Sequence, residues 1–148
     1  MNGDSACHWT RISRISDRVS IYDGPQKFVD DFRSLTLPEQ VLVAAHWFEY
    51  EVVNGGLSQF FGNSTGVLAP EAVIAFRTLG MPRVASVITE ATKQFGHTYP
   101  RDRDERCKWL ADHTIAFAEQ DEELYHLLDH ESGGFDQAAS RYAAAHGI

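Results

Sequence analysis

The chain has 148 residues and a formal net charge of −8, with 43% hydrophobic and 23% charged residues. That length suits one domain with a substantial core, and that charge excludes direct nucleic-acid binding through a basic face. Apolar runs reach only a few residues, as at Val41 to Ala45, against the ~20 that span a bilayer. The opening MNGDSACHWTRIS has no apolar core of the signal-peptide kind. Cys7 and Cys107 form no paired framework, so a reducing, cytoplasmic setting is expected.

Residues 1–18 read as a polar, loosely ordered start. Val19 to Tyr22 suits a short extended piece ended by Asp23-Gly24-Pro25, and a short amphipathic helix follows with Phe28, Val29 and Phe32 on one side. Thr36-Leu37-Pro38-Glu39 predicts a helix start, with an N-cap Thr, an early Pro and a Glu at capping-box spacing. The helix predicted from Pro38 to Val53 is apolar around much of its circumference, which marks it as the central helix. One stripe of it holds Val41, Leu42, Ala45, Phe48, Val52 and Val53, with Glu49 in the middle. A carboxylate there must be hydrogen-bonded, neutralised or exposed through a gap in the packing.

Asn54-Gly55-Gly56 predicts the end of that helix, since each glycine inside it costs about 1 kcal/mol relative to Ala. One of the three is expected in a left-handed conformation. Glu51, Asn54, Gln59 and Asn63 offer carboxylate and amide groups to satisfy the backbone of this junction. Bracing by Glu49 or Glu51 is the preferred reading, because buried polar groups are normally satisfied within the fold. The rival is an enzyme in which Glu49 or Glu51 works as a general acid or base beside Asn54, Gln59 and Asn63 in a cleft at the NGG junction. An open pocket with free carboxylate oxygens would favour that rival.

Leu57 to Phe61 predicts a helical turn with Phe60 and Phe61 in the core, and Asn63 to Gly66 a turn. Helices follow from Pro70 to Leu79, closed by Gly80, and from Pro82, closed by Gly96. The stretch HTYPRDRD suits an exposed loop. Arg103 to Asp112 predicts a helix with Cys107 and Leu110 inward and Trp109 beside them. Asp121 is placed to cap a helix running to His130 with Leu124, Leu127 and Leu128 inward. Ser132-Gly133-Gly134 stops it, and a last helix uses Phe135, Ala138, Ala139 and Tyr142. The expected class is all-α, a single compact multi-helix domain over residues 1–148 around the central apolar helix.

Chemistry-bearing motifs are few. His126 and His130 share a helical face, but a zinc site needs a third protein ligand, and no metal or cofactor is expected. Neither Cys has a His partner in view, and no Ser sits in a nucleophile elbow. NGG lacks the Lys and Ser/Thr of a phosphate loop. Charge is the stronger clue. Residues 77–108 hold seven basic and four acidic groups, and residues 109–148 one basic and eight acidic. Glu119, Asp121, Glu122, Glu123, Asp129 and Glu131 put six carboxylates into thirteen residues. On a helix, Glu119, Glu122, Glu123 and Asp129 fall within an arc of roughly 120°, opposite the leucines. Such a face either meets water or docks a basic partner.

The pattern Glu51, Val52, Asn54-Gly55-Gly56, Gln59, Phe60-Phe61, Asn63 and Gly66 resembles a family of small bacterial helical proteins whose best-known member is a DNA mimic. Phe76-Arg77-Thr78-Leu79-Gly80 continues the similarity, with weaker echoes at Asp121 to Tyr125 and Tyr142, so it spans roughly residues 20–146. The resemblance implies an all-α fold. For the characterised branch it implies carboxylates that imitate DNA phosphates and occupy the DNA-binding face of a helix-turn-helix transcription regulator. The NGG motif itself reads as architectural. The expected function is a non-enzymatic, acidic protein-binding domain acting through Glu119, Glu122, Glu123 and Asp129. An immunity- or antitoxin-like binder is a related alternative, and self-association into a homo-oligomer stays open.

Overall fold

The computed structural model describes residues 8–148, with the backbone alone for His8, Trp9 and Arg11. Cys7 and the first part of the expected loose start lie outside the described residues. Among the described residues there are eight α-helices and no strand. They are α1 (His8–Ser16), α2 (Pro25–Arg33), α3 (Leu37–Gly62), α4 (Ala69–Thr78), α5 (Pro82–Lys93), α6 (Arg103–Asp112), α7 (Ala118–His130) and α8 (Phe135–Ala145). Short 3₁₀ turns occupy Ser64–Leu68 and Glu131–Gly133. The fold is all-α.

Residues 8–16, expected to be loosely ordered, form α1 instead. Ile12 and Ile15 recur at helical spacing and are buried, where α1 packs on α3 and α8. No extended piece forms at Val19 to Tyr22; Val19 is buried, but Tyr22 points into solvent.

The start of α3 follows its local chemistry. Thr36 Oγ1 accepts from the Glu39 amide at 3.3 Å, and Glu39 Oε2 accepts from the Thr36 amide at 2.9 Å. This reciprocal pair satisfies two donors that a helix start otherwise leaves open. Leu42, Val43, Ala44, Ala45 and His46 are buried in succession, because α3 has neighbours on nearly every side: α1, α4, α6, α7 and α8. Val53 departs from the predicted stripe and is 55% exposed.

The glycines end one helical run, as expected, and a kink joins it to a second run within α3. Gly55 has φ −160° and ψ 16°, Gly56 has φ 74° and ψ −174°, and the helix resumes at Leu57. The positive φ was expected; the ψ is extended rather than left-handed helical. That combination is essentially restricted to glycine. A Cβ on Gly56 would also collide with the Asp121 carboxylate. Asp121 Oδ1 accepts from the Leu57 amide at 2.8 Å, so it caps the second half of α3. This corrects its expected role, since α7 begins earlier, at Ala118.

From the kink, aromatic rings run through the core. Phe48 meets Phe60 at 4.9 Å and Phe76 at 5.4 Å, while Phe61 meets Phe95 at 4.9 Å and Phe117 at 5.3 Å. Such contacts add to burial through edge-to-face packing.

One expectation in the basic segment, an inward Cys107, is overturned. Helix α6 turns Arg106 inward while Cys107 is exposed and Trp109 and Leu110 are half-buried. The HTYPRDRD stretch is largely exposed, as expected, and is fastened down as well: Tyr99 Oη donates to the Gly66 carbonyl at 2.6 Å. Arg101 Nη1 bridges the Val67 carbonyl at 2.7 Å and the Glu71 carboxylate at 2.8 Å.

Candidate functional site

Two places hold the residues singled out by the sequence, and they differ in chemistry. The first is the kink of α3. Glu51 is buried there. Its Oε2 accepts from Gln59 Nε2 at 2.8 Å and from Asn63 Nδ2 at 2.9 Å, and its Oε1 pairs with Thr65 Oγ1 at 3.1 Å. One carboxylate thereby ties the two halves of α3 to the 3₁₀ turn beyond them. Glu51 is the brace, and Glu49 is not. Asn54 takes no part; it is exposed, and its Nδ2 donates to the Tyr50 carbonyl at 2.6 Å.

Beside the brace lies an open cavity of about 790 Å³, walled by α3, the 3₁₀ turn and the segment before α2. Its lining includes Tyr22, His46, Trp47, Glu49, Tyr50, Glu51, Gln59, Asn63 and Arg103. No sequence motif marks Trp47, Tyr50, Tyr22 or Arg103 as lining a cavity. Trp47 and Tyr50, three residues apart beside two glutamates, were the available hint. The cavity meets half of the condition set for an enzyme. For Glu51 the other half fails, because that buried carboxylate already faces three side-chain partners, which leaves it poorly placed to exchange a proton with substrate; the side chain of Glu49, which lines the same cavity, forms no hydrogen bond or ion pair among the described residues.

Glu49 lies half-buried at the edge of this cavity and also lines a depression with Tyr125, Asp129 and Asp136. Burial, then the negative charges of Asp136 and Asp129, push its carboxyl from the ordinary 4.5 up to about 7. A carboxyl raised in the folded state binds its proton more tightly there than in the unfolded chain. Its favourable contribution is therefore complete below pH 4.5 and lost as pH rises through 7. Glu49→Gln keeps the neutral form at every pH. After discounting for the water that reaches a half-buried group, the variant should gain about 1–2 kcal/mol at pH 8. That gain should shrink between pH 7 and 4.5 and vanish below, as urea unfolding at a series of pH values would read.

The second place is the outer side of α7. Glu119, Glu122, Glu123 and Asp129 are all exposed, and none makes an ion pair or hydrogen bond among the described residues. The other two carboxylates of the run turn inward. Asp121 caps Leu57, and Glu131 accepts from the amides of Arg83 at 2.9 Å and Val84 at 3.0 Å, closing the start of α5. His126 and His130 stack at 4.4 Å between the acids, and no metal-holding group of His, Cys, Asp or Glu occurs among the described residues.

The basic segment does not cancel this face. Lys93 pairs with Glu90, Arg101 with Glu71 and Lys108 with Asp112. Arg103 and Arg106 donate to carbonyls at the end of α3. Arg141 donates to Ser132. Arg83 lines a shallow depression with Glu119 and Glu123 but forms no ion pair with them among the described residues.

No described helix is long and apolar enough to cross a membrane. No curated protein and no solved structure matches the chain. One family model does, over residues 33–146, from the helix start at Thr36 through the kink and the acidic helix to the end of α8; the chain belongs to the family of DMP19-like proteins.

Proposed function

We propose that this chain is a non-enzymatic binding domain whose acidic α7 face occupies the DNA-binding surface of a basic protein, with a helix-turn-helix transcription regulator as the expected partner. The observation that carries the reading is the sorting of the six carboxylates. Two are used inside the fold, while Glu119, Glu122, Glu123 and Asp129 stand outward without a cationic partner among the described residues. Unpaired surface carboxylates at one edge of a helix keep a negative potential that steers a basic surface toward it. Family membership supports the same direction through the resemblance to DNA mimics, and it argues against an enzyme. The protein is expected to act in the cytoplasm.

The test is capture by the immobilised chain from a bacterial lysate at low salt. A duplex-binding protein should be retained and then released as salt approaches ~1 M, where screening shortens to about 3 Å. The purified chain should also displace duplex DNA from it. A captured protein that keeps its DNA would remove the mimic. A basic toxin in its place would select the immunity- or antitoxin-like alternative.

A further inference from the structure

The cavity at the α3 kink is not needed by the acidic face, which lies on another element, and its walls have a chemistry of their own. Trp47 and Tyr50 stand edge to face at 5.8 Å, His46 meets Trp47 at 5.3 Å, and Tyr22, 89% exposed, stands at the rim. An aromatic side chain left that exposed gains little from burial. The Trp47 ring nitrogen is buried without a hydrogen-bond partner, an arrangement that costs about 1–3 kcal/mol. An apolar side chain at this position would carry no such donor, and the indole N–H is unused by the fold itself.

Beneath the rings is the Glu51 carboxylate. Its partners are two amides and a hydroxyl, all neutral, and no Lys or Arg pairs with it among the described residues. Glu49 adds a second carboxyl at the edge. Arg103, the one cation in the lining, is exposed and donates its Nε to the Gly62 carbonyl at 2.6 Å. A buried, uncompensated carboxylate behind aromatic faces attracts a cation twice, through its charge and through the ring quadrupoles. The space, about 790 Å³, lies within the range that holds a small organic molecule.

We infer that this cavity binds an organic cation, an alkyl guanidinium or ammonium group, seated between Tyr22, Trp47 and Tyr50 with its charge toward Glu51 and Glu49. The group belongs either to a free amine or to an arginine or lysine side chain of a protein, and one experiment separates the two. The indole signal of Trp47 in ¹⁵N-labelled protein, assigned with Trp47→Phe, is followed during titration with agmatine, with Nα-acetyl-arginine methylamide and with the neutral Nα-acetyl-citrulline methylamide.

Both cations should give saturable shifts, and the citrulline compound none up to ~20 mM. Tighter binding of agmatine marks a free amine as the ligand; tighter binding of the blocked arginine marks a side chain. Tyr50→Leu and Tyr22→Leu alter residues that already meet solvent, so the fold is kept, and each should weaken binding by about fivefold. A variant carrying Glu119→Gln, Glu122→Gln and Glu123→Gln, none of which lines the cavity, should bind the cations unchanged, so failure here and failure of the acidic-face reading are distinguishable. Absence of a saturable shift, equal binding of citrulline, or unaltered binding by both tyrosine variants would overturn the site.

Discussion

A variant carrying Glu119→Gln, Glu122→Gln, Glu123→Gln and Asp129→Asn should lose capture of its basic partner while melting close to the parent protein. Each exposed charge pair is worth about 0.2–1 kcal/mol. Four lost together therefore weaken binding on the order of a hundredfold at low salt, at 1.4 kcal/mol per tenfold. The loss should narrow as salt rises, because the parent complex weakens and the variant has little left to screen. The fold should tolerate the change because these side chains make no ion pair or hydrogen bond among the described residues. Glu119 has Glu122 and Glu123 one turn along, and neutralising such like-charge neighbours relieves a few tenths of a kcal/mol. Glu119 also sits in the first turn of α7, where a negative charge is favoured by the helix dipole. The two effects oppose each other, leaving stability within about 0.5 kcal/mol. Calorimetric melting and salt-dependent binding measured on one preparation check both halves. Retained capture by a folded variant would place the interface elsewhere.

Legibility of this fold in the sequence tracked the distance between partners. The Thr36–Glu39 box, the prolines at the starts of α4 and α5 and the Gly-rich junction depend on residues within one turn of each other, so spacing alone revealed them. Bracing by Glu51 was half legible, since Gln59 and Asn63 lie only 8 and 12 positions away. Asp121 was read as the cap of its own helix because the amide it serves, that of Leu57, is 64 positions distant. Glu131 likewise serves α5 from 47 and 48 positions away. The division of the six carboxylates between internal caps and an outward face was therefore visible only in part: helical phase picked out the four, but not what the other two do. A cleft at the Gly-rich junction was part of the enzyme alternative, but its aromatic walls were not legible. Aromatic residues at helical spacing look the same whether their rings fill a core or wall a hollow, and only the position of Tyr22 across from α3 distinguishes the cases.

Arg106 was the hardest residue to place, and its replacement should have the largest effect on stability. It is fully buried, and the last turn of α3 explains why. The final carbonyls of a helix have no partner within it and carry the negative end of its dipole. Arg106 Nε donates to the Phe61 carbonyl at 2.8 Å and Nη2 to that of Asn63 at 2.8 Å. Nη1 reaches the Arg101 carbonyl at 2.6 Å and that of Pro100 at 3.3 Å, so one planar fork closes the helix and anchors the loop before α6. Gly66 belongs to the same arrangement, since a Cβ there would press on the Phe60 carbonyl and the guanidinium. Burial lowers the Arg106 pKa, while Tyr99 is among the groups that oppose the shift; an arginine nonetheless stays cationic. Arg106→Met fills similar volume but strands four carbonyls, and should cost about 3–5 kcal/mol in urea unfolding, a large part of the 5–15 kcal/mol typical of a whole domain. Arg106→Lys keeps the charge without the fork and should fall between. Amide exchange should quicken first from Gly62 to Gly66, where the Arg106 contacts are lost, before it does so around the Thr36 cap. A methionine variant within about 1 kcal/mol of the parent would mean that water replaces the guanidinium at these carbonyls, and the end of α3 would then be held by Glu51 with its amide partners and by Arg103.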